Sequence, residues 1–339
     1  VVFVTGAVPG DVARAIVTKT KKRYAEARAV ELVSPSPHRI DPCCPTFGEC
    51  GGCVWQNLDY GVQLDYKARQ VAESLEHLGG LRGFQLQPAL GMAHPWRYRN
   101  RVDFSIGMRD EGAVVGFRPP GRWDLVLPLS ICHLLSTEME AVRTTVENWL
   151  RDAGLPGWDP RTNTGFARHL LVRSAQQGAE LLVSLVTAPG ALPETLDLVE
   201  RLRSAHPQIV GIAHAVNPGT AELSAGLDYE MLWGRPFLIE HLAGIQLKIS
   251  LNAFFQTNTL MAHALYGLVA REVFSSDLQP GRDGTGSRGA AGGPVIWDLY
   301  SGVGSIGLSL ASRAGKILGI EAIAEAVEDA RENARLNGI

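Results

Sequence analysis

Three cysteines in the run Cys44-Pro45-Thr46-Phe47-Gly48-Glu49-Cys50-Gly51-Gly52-Cys53 place three thiols on one short stretch, spaced C-x5-C-x2-C. Thiolates packed this closely in sequence hold a metal ion or an iron–sulfur cluster, and the glycines let the backbone turn tightly around it. A four-iron cluster and a tetrahedral zinc each want a fourth ligand. Cys132, in Leu129-Ser130-Ile131-Cys132-His133-Leu134, is the distant candidate. Cys43 is a spare, because neighbouring side chains rarely both point at one centre. On spacing alone, iron–sulfur and zinc stand level, and a zinc knuckle that only staples the loop is the plainer alternative.

A second constellation lies at Asp298-Leu299-Tyr300-Ser301-Gly302-Val303-Gly304-Ser305-Ile306-Gly307, with Glu321 following in Gly319-Ile320-Glu321. It reads as a strand end, a glycine turn and a helix start, then a second strand closed by an acid. Glycines admit a ligand close to the backbone, and a helix beginning near Ser305 offers unpaired N–H groups. An acid about twenty residues on can accept hydrogen bonds from ribose hydroxyls. No Gly-Lys-Ser follows, which argues against a phosphate-gripping loop. An ordinary strand-to-helix turn is the plainer alternative.

Two basic groups could meet RNA. Lys19, Lys21, Lys22 and Arg23 form a run on a predicted hairpin loop. Arg97, Arg99 and Arg101 fall on one face of a predicted strand over 97–106, opposite Tyr98, Val102, Phe104 and Ile106. Arg118 and Arg122 join them. Three arginines on one face repel unless an anion, or a carboxylate such as Asp103, compensates. A solvated hairpin tip is the plainer alternative for the lysine run.

The elements that must position these groups follow from pattern. The chain has 339 residues and a net charge of -3, so it suggests more than one domain and shows no global sign of a nucleic-acid binder. There is no apolar run long enough to span a bilayer and no secretion signal. Clustered cysteines in a large chain indicate a reducing compartment and metal binding, not a disulfide scaffold. Residues 1–38 read as part of a small β-barrel closed by Ser34-Pro35-Ser36-Pro37. A helix is predicted over 58–78, and hairpins at Arg109–Gly112 and at Gln176-Gln177-Gly178. A helix over 192–205 and a strand over 209–216 complete a mixed α/β region. Residues 277–294 are glycine-rich and read as a linker or insertion. Strand 295–299, helix 305–313, strand 316–320 and helix 323–336 then open a nucleotide-type parallel sheet.

Assembled, these residues resemble the RNA uracil-5-methyltransferase family, in its iron–sulfur ribosomal-RNA branch. Residues 1–38 resemble its TRAM domain, an OB-like RNA-binding barrel with the opening strand missing. Cys44 through Cys53, followed by Trp55-Gln56, is similar to its cluster motif, and Tyr98-Arg99-Asn100-Arg101-Val102 resembles the start of its central domain. Ala253-Phe254-Phe255-Gln256-Thr257-Asn258 resembles the segment whose Gln contacts the cofactor.

The resemblance implies three parts. They are a barrel at 1–38, an iron–sulfur and central α/β domain at 39–250, and an incomplete Rossmann-like methyltransferase domain at 251–339. It implies a [4Fe-4S] cluster on Cys44, Cys50, Cys53 and Cys132. It implies S-adenosylmethionine against Gln256, Tyr300, Ser305 and Glu321. Ser301 stands where Cys is common, a harmless change at a turn. The implied reaction is C5-methylation of a uridine by covalent Cys catalysis. The nucleophile, a supporting Asp and the base are expected beyond Ile339, so residues 1–339 alone are expected to be inactive. The partner implied is RNA, ribosomal favoured over transfer RNA, with no membrane; the protein is expected to be a cytoplasmic monomer, or organellar in a eukaryote. The rivals are a tRNA-directed enzyme, a zinc-stapled methyltransferase and a non-catalytic RNA-binding iron–sulfur module.

Overall fold

The computed structural model describes residues 1–275 and 293–339. The glycine-rich segment expected at 277–294 lies outside the described residues except for Gly293 and Pro294. Two compact units are present: Val1–Pro95 with Pro119–Gly121, and Trp96–Arg118 with Arg122–Ile339.

The first unit opens with β1 (Val2–Thr5), β2 (Val12–Thr20) and β3 (Ala25–Ser34), in the order β1-β3-β2. β1 runs parallel to β3, and β2 pairs with β3 as an antiparallel hairpin. These are three strands, fewer than the five of an OB-type barrel. The loops at one end of the sheet are tied by Asp11. Its carboxylate accepts from the N–H groups of Val8 and Ser36 and from two guanidinium nitrogens of Arg39, at 2.7–2.9 Å. The cysteine loop follows, and then α1 (Tyr60–His77). Asp59 caps this helix by accepting from Val62 N, and Gly79 N closes it on the Ser74 carbonyl.

The second unit is built on seven strands: β4 (Arg101–Arg109), β5 (Gly112–Phe117), β6 (Leu127–Pro128), β7 (Ala167–Ala175), β8 (Glu180–Thr187), β9 (Ile209–Val216) and β10 (Tyr229–Gly234). Their order is β10-β9-β8-β7-β4-β5-β6, with only β8 and β9 parallel. That parallel pair is joined by α3 (Thr195–Ala205), as a crossover requires. With α2 (Thr137–Asp152), α3 covers one face. Met139, Val142, Val146, Trp149, Leu198 and Leu202 pack there on Phe104, Ile106, Leu170 and Val183. The opposite face packs Leu171, Leu182 and Ala213 against Leu238 and Leu251. β7 is therefore buried along its whole length.

Leu238 belongs to a hairpin, β11 (Phe237–Leu242) with β12 (Ile245–Ser250). Ala243 and Gly244 turn it, both at positive φ, as a two-residue type I′ loop demands. After α4 (Thr259–Val273) come β13 (Val295–Leu299), α5 (Ser305–Leu310), β14 (Lys316–Ile320) and α6 (Ala324–Leu336), with β13 and β14 parallel. α6 lies along β12 and completes its free edge. Asn337 pairs with both the N–H and the carbonyl of Gln246, Asn333 does the same for Lys248, and Asp329 accepts from the N–H and hydroxyl of Ser250.

The predicted hairpins, the strand over 209–216 and the closing β-α-β-α unit are all present. The strand expected over 97–106 begins only at Arg101. Arg97 turns at φ 52°, and the N–H groups of Arg97 and Arg99 go to the carbonyls of His133 and Leu134. The three arginines therefore do not share one strand face.

Candidate cofactor site and cysteine loop

The turn after β13 is shaped by backbone that only glycine adopts freely. Tyr300, Gly302 and Gly304 have φ of 62°, 54° and 79°. The Asp298 carboxylate reaches under the turn and accepts the N–H of Gly307 at 2.8 Å. Burial pushes this carboxyl up, although that hydrogen bond opposes the shift. A Cβ at Gly307 would stand 2.8 Å from the same carboxylate oxygen and 3.1 Å from Ile317, so a larger residue there would displace Asp298.

Glu321 is joined directly to this turn. It accepts the N–H of Ile323 at 2.9 Å, of Gly302 at 2.9 Å and of Ala322 at 2.7 Å. Those three bonds hold its carboxyl below the usual carboxylate range. An ionised carboxylate offers about four lone-pair sites, so a position remains for a ligand hydroxyl. Ser305 is nearly buried, and its hydroxyl lies 2.7 Å from that of Tyr266 on α4. Its side chain therefore meets α4, and only its backbone N–H faces the helix end. Tyr300 is 91% exposed. Gln256 is also exposed, in the loop before α4, and the Asn258 side chain caps that helix at Met261 N. The Tyr266–Ser305 bond thus links the Gln256 loop to the glycine turn through α4. A cavity of about 530 Å³ adjoins the turn, lined among others by Asp298, Ser301, Gly304, Gly319 and Glu321. Of the four residues expected at the cofactor, only Glu321 lines it.

In the first unit the cysteine loop is wound tightly. Cys50 N and Glu49 N both donate to the Thr46 carbonyl, and Gly48 turns at φ 89°. The Gln56 side-chain oxygen accepts from Cys44 N at 3.2 Å and lies 3.7 Å from Cys43 Sγ. Cys50 Sγ accepts the N–H of Gly52 at 3.3 Å. Burial pushes the Cys43 thiol up, and Cys44 and Cys53 push it further. Cys132 packs against the core of the second unit, in the loop before α2. Thiols are the donor type that an iron–sulfur or zinc site uses. Yet no group of three or more His, Cys, Asp or Glu side chains is gathered to hold a metal ion among the described residues.

No family model matches the chain. Curated relatives do. It is 33% identical to an uncharacterized RNA methyltransferase of Halalkalibacterium halodurans over 336 residues, covering 99% of this chain and 70% of that protein. It is 35% identical to an uncharacterized RNA methyltransferase of Caldanaerobacter subterraneus over 339 residues, covering 99% of this chain and 72% of that one. The chain belongs to this RNA methyltransferase family. Among solved structures it matches the Pyrococcus abyssi tRNA (uracil-54, C5)-methyltransferase in complex with S-adenosyl-L-homocysteine. The TM-score is 0.73 and the identity 28%, over 100% of this chain and 73% of that one.

For an RNA methyltransferase, the basic residues come next. Lys21, Lys22 and Arg23 sit in the turn between β2 and β3, closed by a Lys21 N to Tyr24 carbonyl bond. Lys19 lies on β2, 3.9 Å from Glu26. Arg97 donates to the Leu135 carbonyl. Arg101 forks onto Asp103 with two bonds of 3.0 Å. Burial opposes ionisation of Asp103, but this fork, helped by Ser224 and His169, keeps the carboxyl low. Arg118 and Arg122 pair with Glu222 and Asp124. Arg97, Arg101, Arg118 and Arg122 are thus each held by a nearby carboxylate or carbonyl. Sequence reasoning missed Tyr266, which bonds Ser305, and Asn100, which bonds the Gln256 carbonyl and Thr259, each from a remote part of the chain. Asn100 lay within a motif already singled out; Tyr266 carried no such signal.

Proposed function

We propose that this chain serves S-adenosylmethionine-dependent methylation at C5 of a uridine in RNA. The observation that carries the reading is the bond between Glu321 and Gly302, which sets an oriented carboxylate beside a glycine turn. The cofactor's sulfonium supplies an electrophilic methyl group. Glu321 would accept a hydrogen bond from one of its ribose hydroxyls, as the open lone-pair position allows, and Gln256, Tyr300 and the Ser305 backbone would complete its surroundings. None of the five cysteines is assigned as nucleophile. Lys19, Lys21, Lys22 and Arg23, with Arg97, Arg99 and Arg101, are proposed to track the RNA backbone.

Ribosomal RNA is the substrate favoured by the resemblance of the cysteine loop to the iron–sulfur branch. On the same resemblance, Cys44, Cys50, Cys53 and Cys132 are proposed to hold a [4Fe-4S] cluster. The Pyrococcus match is the observation that favours a second reading, transfer RNA.

Calorimetric titration with S-adenosylhomocysteine tests the cofactor site. Glu321→Ala should bind at least about tenfold more weakly, the worth of a lost charge-assisted bond. Unchanged affinity removes Glu321 from the site. Anaerobic purification with iron, sulfide and zinc analysis tests the cluster. About four irons per chain, lost in Cys50→Ser, support it; a colourless zinc protein overturns it.

A further inference from the structure

Residues 251–258, between β12 and α4, contain no regular strand or helix, yet they are fixed from two sides. Asn100, just before β4, grips the far end with both backbone and side chain. Its N–H donates to the Thr257 carbonyl at 3.0 Å. Its side-chain amide donates to the Gln256 carbonyl at 2.7 Å and to the Thr259 hydroxyl at 2.9 Å. Its own carbonyl accepts from Ser174 N at 2.8 Å, which locks Asn100 to β7. Thr259 passes its hydroxyl hydrogen on to Glu240 at 3.2 Å, a buried carboxylate that also receives the N–H groups of Gln176 and His241.

Arg173 holds the near end. It is 2% exposed, and one guanidinium nitrogen lies 2.8, 2.9 and 2.7 Å from the carbonyls of Ser250, Leu251 and Ala253. Taking a cation out of water for three carbonyl partners is costly, so this segment is held at some expense in stability. Between the anchors, Phe255 is buried while Phe254 is 72% exposed and Gln256 is also exposed. The anchored backbone displays those two side chains.

The chemistry at position 100 is demanding. Only a side chain with two N–H donors on one atom can serve the Gln256 carbonyl and the Thr259 hydroxyl together. Asp would set a carboxylate against the Gln256 carbonyl, and Ala would leave that carbonyl without its side-chain donor. Held geometry of this kind raises affinity by removing the cost of ordering a loop at binding.

We propose that Asn100 is a positioning residue for the cofactor site, acting by fixing the backbone of Gln256. This rests on the reading that Gln256 contacts S-adenosylmethionine. The test is a double-mutant cycle on S-adenosylhomocysteine affinity, with wild type, Asn100→Ala, Gln256→Ala and the double variant. Melting temperature is followed in parallel. Each single change should weaken binding by roughly five- to tenfold, and the double should bind no more weakly than Gln256→Ala alone. Losses that multiply in the double, or full affinity in Asn100→Ala, overturn the proposal, because a staple that only stabilises the fold would not couple to Gln256. Should Asn100→Ala not fold, Thr259→Val weakens the same anchor and enters the same cycle with the same two outcomes. Wild-type protein that binds no S-adenosylhomocysteine would overturn the cofactor reading and the proposal together. Binding unaffected by Gln256→Ala would remove Gln256 from the site, and the proposal with it.

Discussion

The N-terminal sheet and the seven-stranded sheet are written in similar sequence and meet opposite fates. β2 and β3 mix valine, isoleucine and leucine with polar residues much as β4 does. Yet Val12, Ile16, Val17, Val30 and Leu32 stand exposed, whereas Val102, Phe104 and Ile106 are buried. The difference is the second layer. β4 has α2 over it, while the first unit holds its sheet ends with the polar knot at Asp11. An alternating pattern announces a strand; it does not announce what will cover it.

Several measurements can break or sharpen that contrast. The largest effect should come from Phe104→Ala, at the centre of the larger core. It should cost about 3–5 kcal/mol of unfolding free energy in urea. Val17→Ala, at a site 56% exposed, should stay within about 0.5 kcal/mol. Equal losses at the two sites would end the comparison. Asp11→Asn should come next, at about 1.5–3 kcal/mol, the worth of hydrogen bonds to a charged group. Hydrogen exchange should find the loss within residues 1–39 and leave the larger unit unaffected.

The same carboxylate gives a pH signature. Arg39 draws the Asp11 carboxyl well below its ordinary 3.8 against the opposing effect of burial, and the Val8 and Ser36 amides help. The folded state then binds fewer protons than the unfolded chain, so stability rises with pH. The contribution is complete above the ordinary value and drains away as pH falls below it. Asn at position 11 should flatten that part of the acid titration, and an unchanged profile would discard the knot as its source. Tyr266→Phe should cost less than Asp11→Asn, about 1 kcal/mol, by leaving the Ser305 hydroxyl without its partner. Its signature is a local loss of exchange protection at the start of α5; unaltered protection there would mean α4 does not brace the turn.

Much of the arrangement could be read from sequence because it is local. The glycine turn, the two short strands flanking it and the hairpin at Gln176-Gln177-Gly178 are each specified by a few neighbouring residues. The place of Glu321 at the end of the second strand follows the same logic, whereas its bond to Gly302 is seen only in the structure. What escaped is long-range. Arg97 and Arg99 continue an alternating pattern, but their N–H groups are taken by the carbonyls of His133 and Leu134. Asn100 and Tyr266 act on residues far along the chain, and no spacing rule couples such positions. The Ser305 hydroxyl likewise meets Tyr266, a partner 39 residues back in the chain that no local pattern announces. The helices α2 and α4 and the strands β10 to β12 carried ordinary patterns and no punctuation strong enough to single them out.

The pairing of α6 with β12 sets a limit of another kind. Asn337, Asn333 and Asp329 stand four residues apart on a helix and meet residues two apart on a strand. Four helical residues advance about 6 Å, and two strand residues advance about 6.7 Å. The two rulers slip by under 1 Å at each step, so they agree over three marks and drift apart beyond them. Deleting one residue between Asp329 and Asn337 would swing the marks beyond it about 100° around the helix and separate them from the strand at once. The match is a gauge of length, and it fixes where α6 must begin and end along β12.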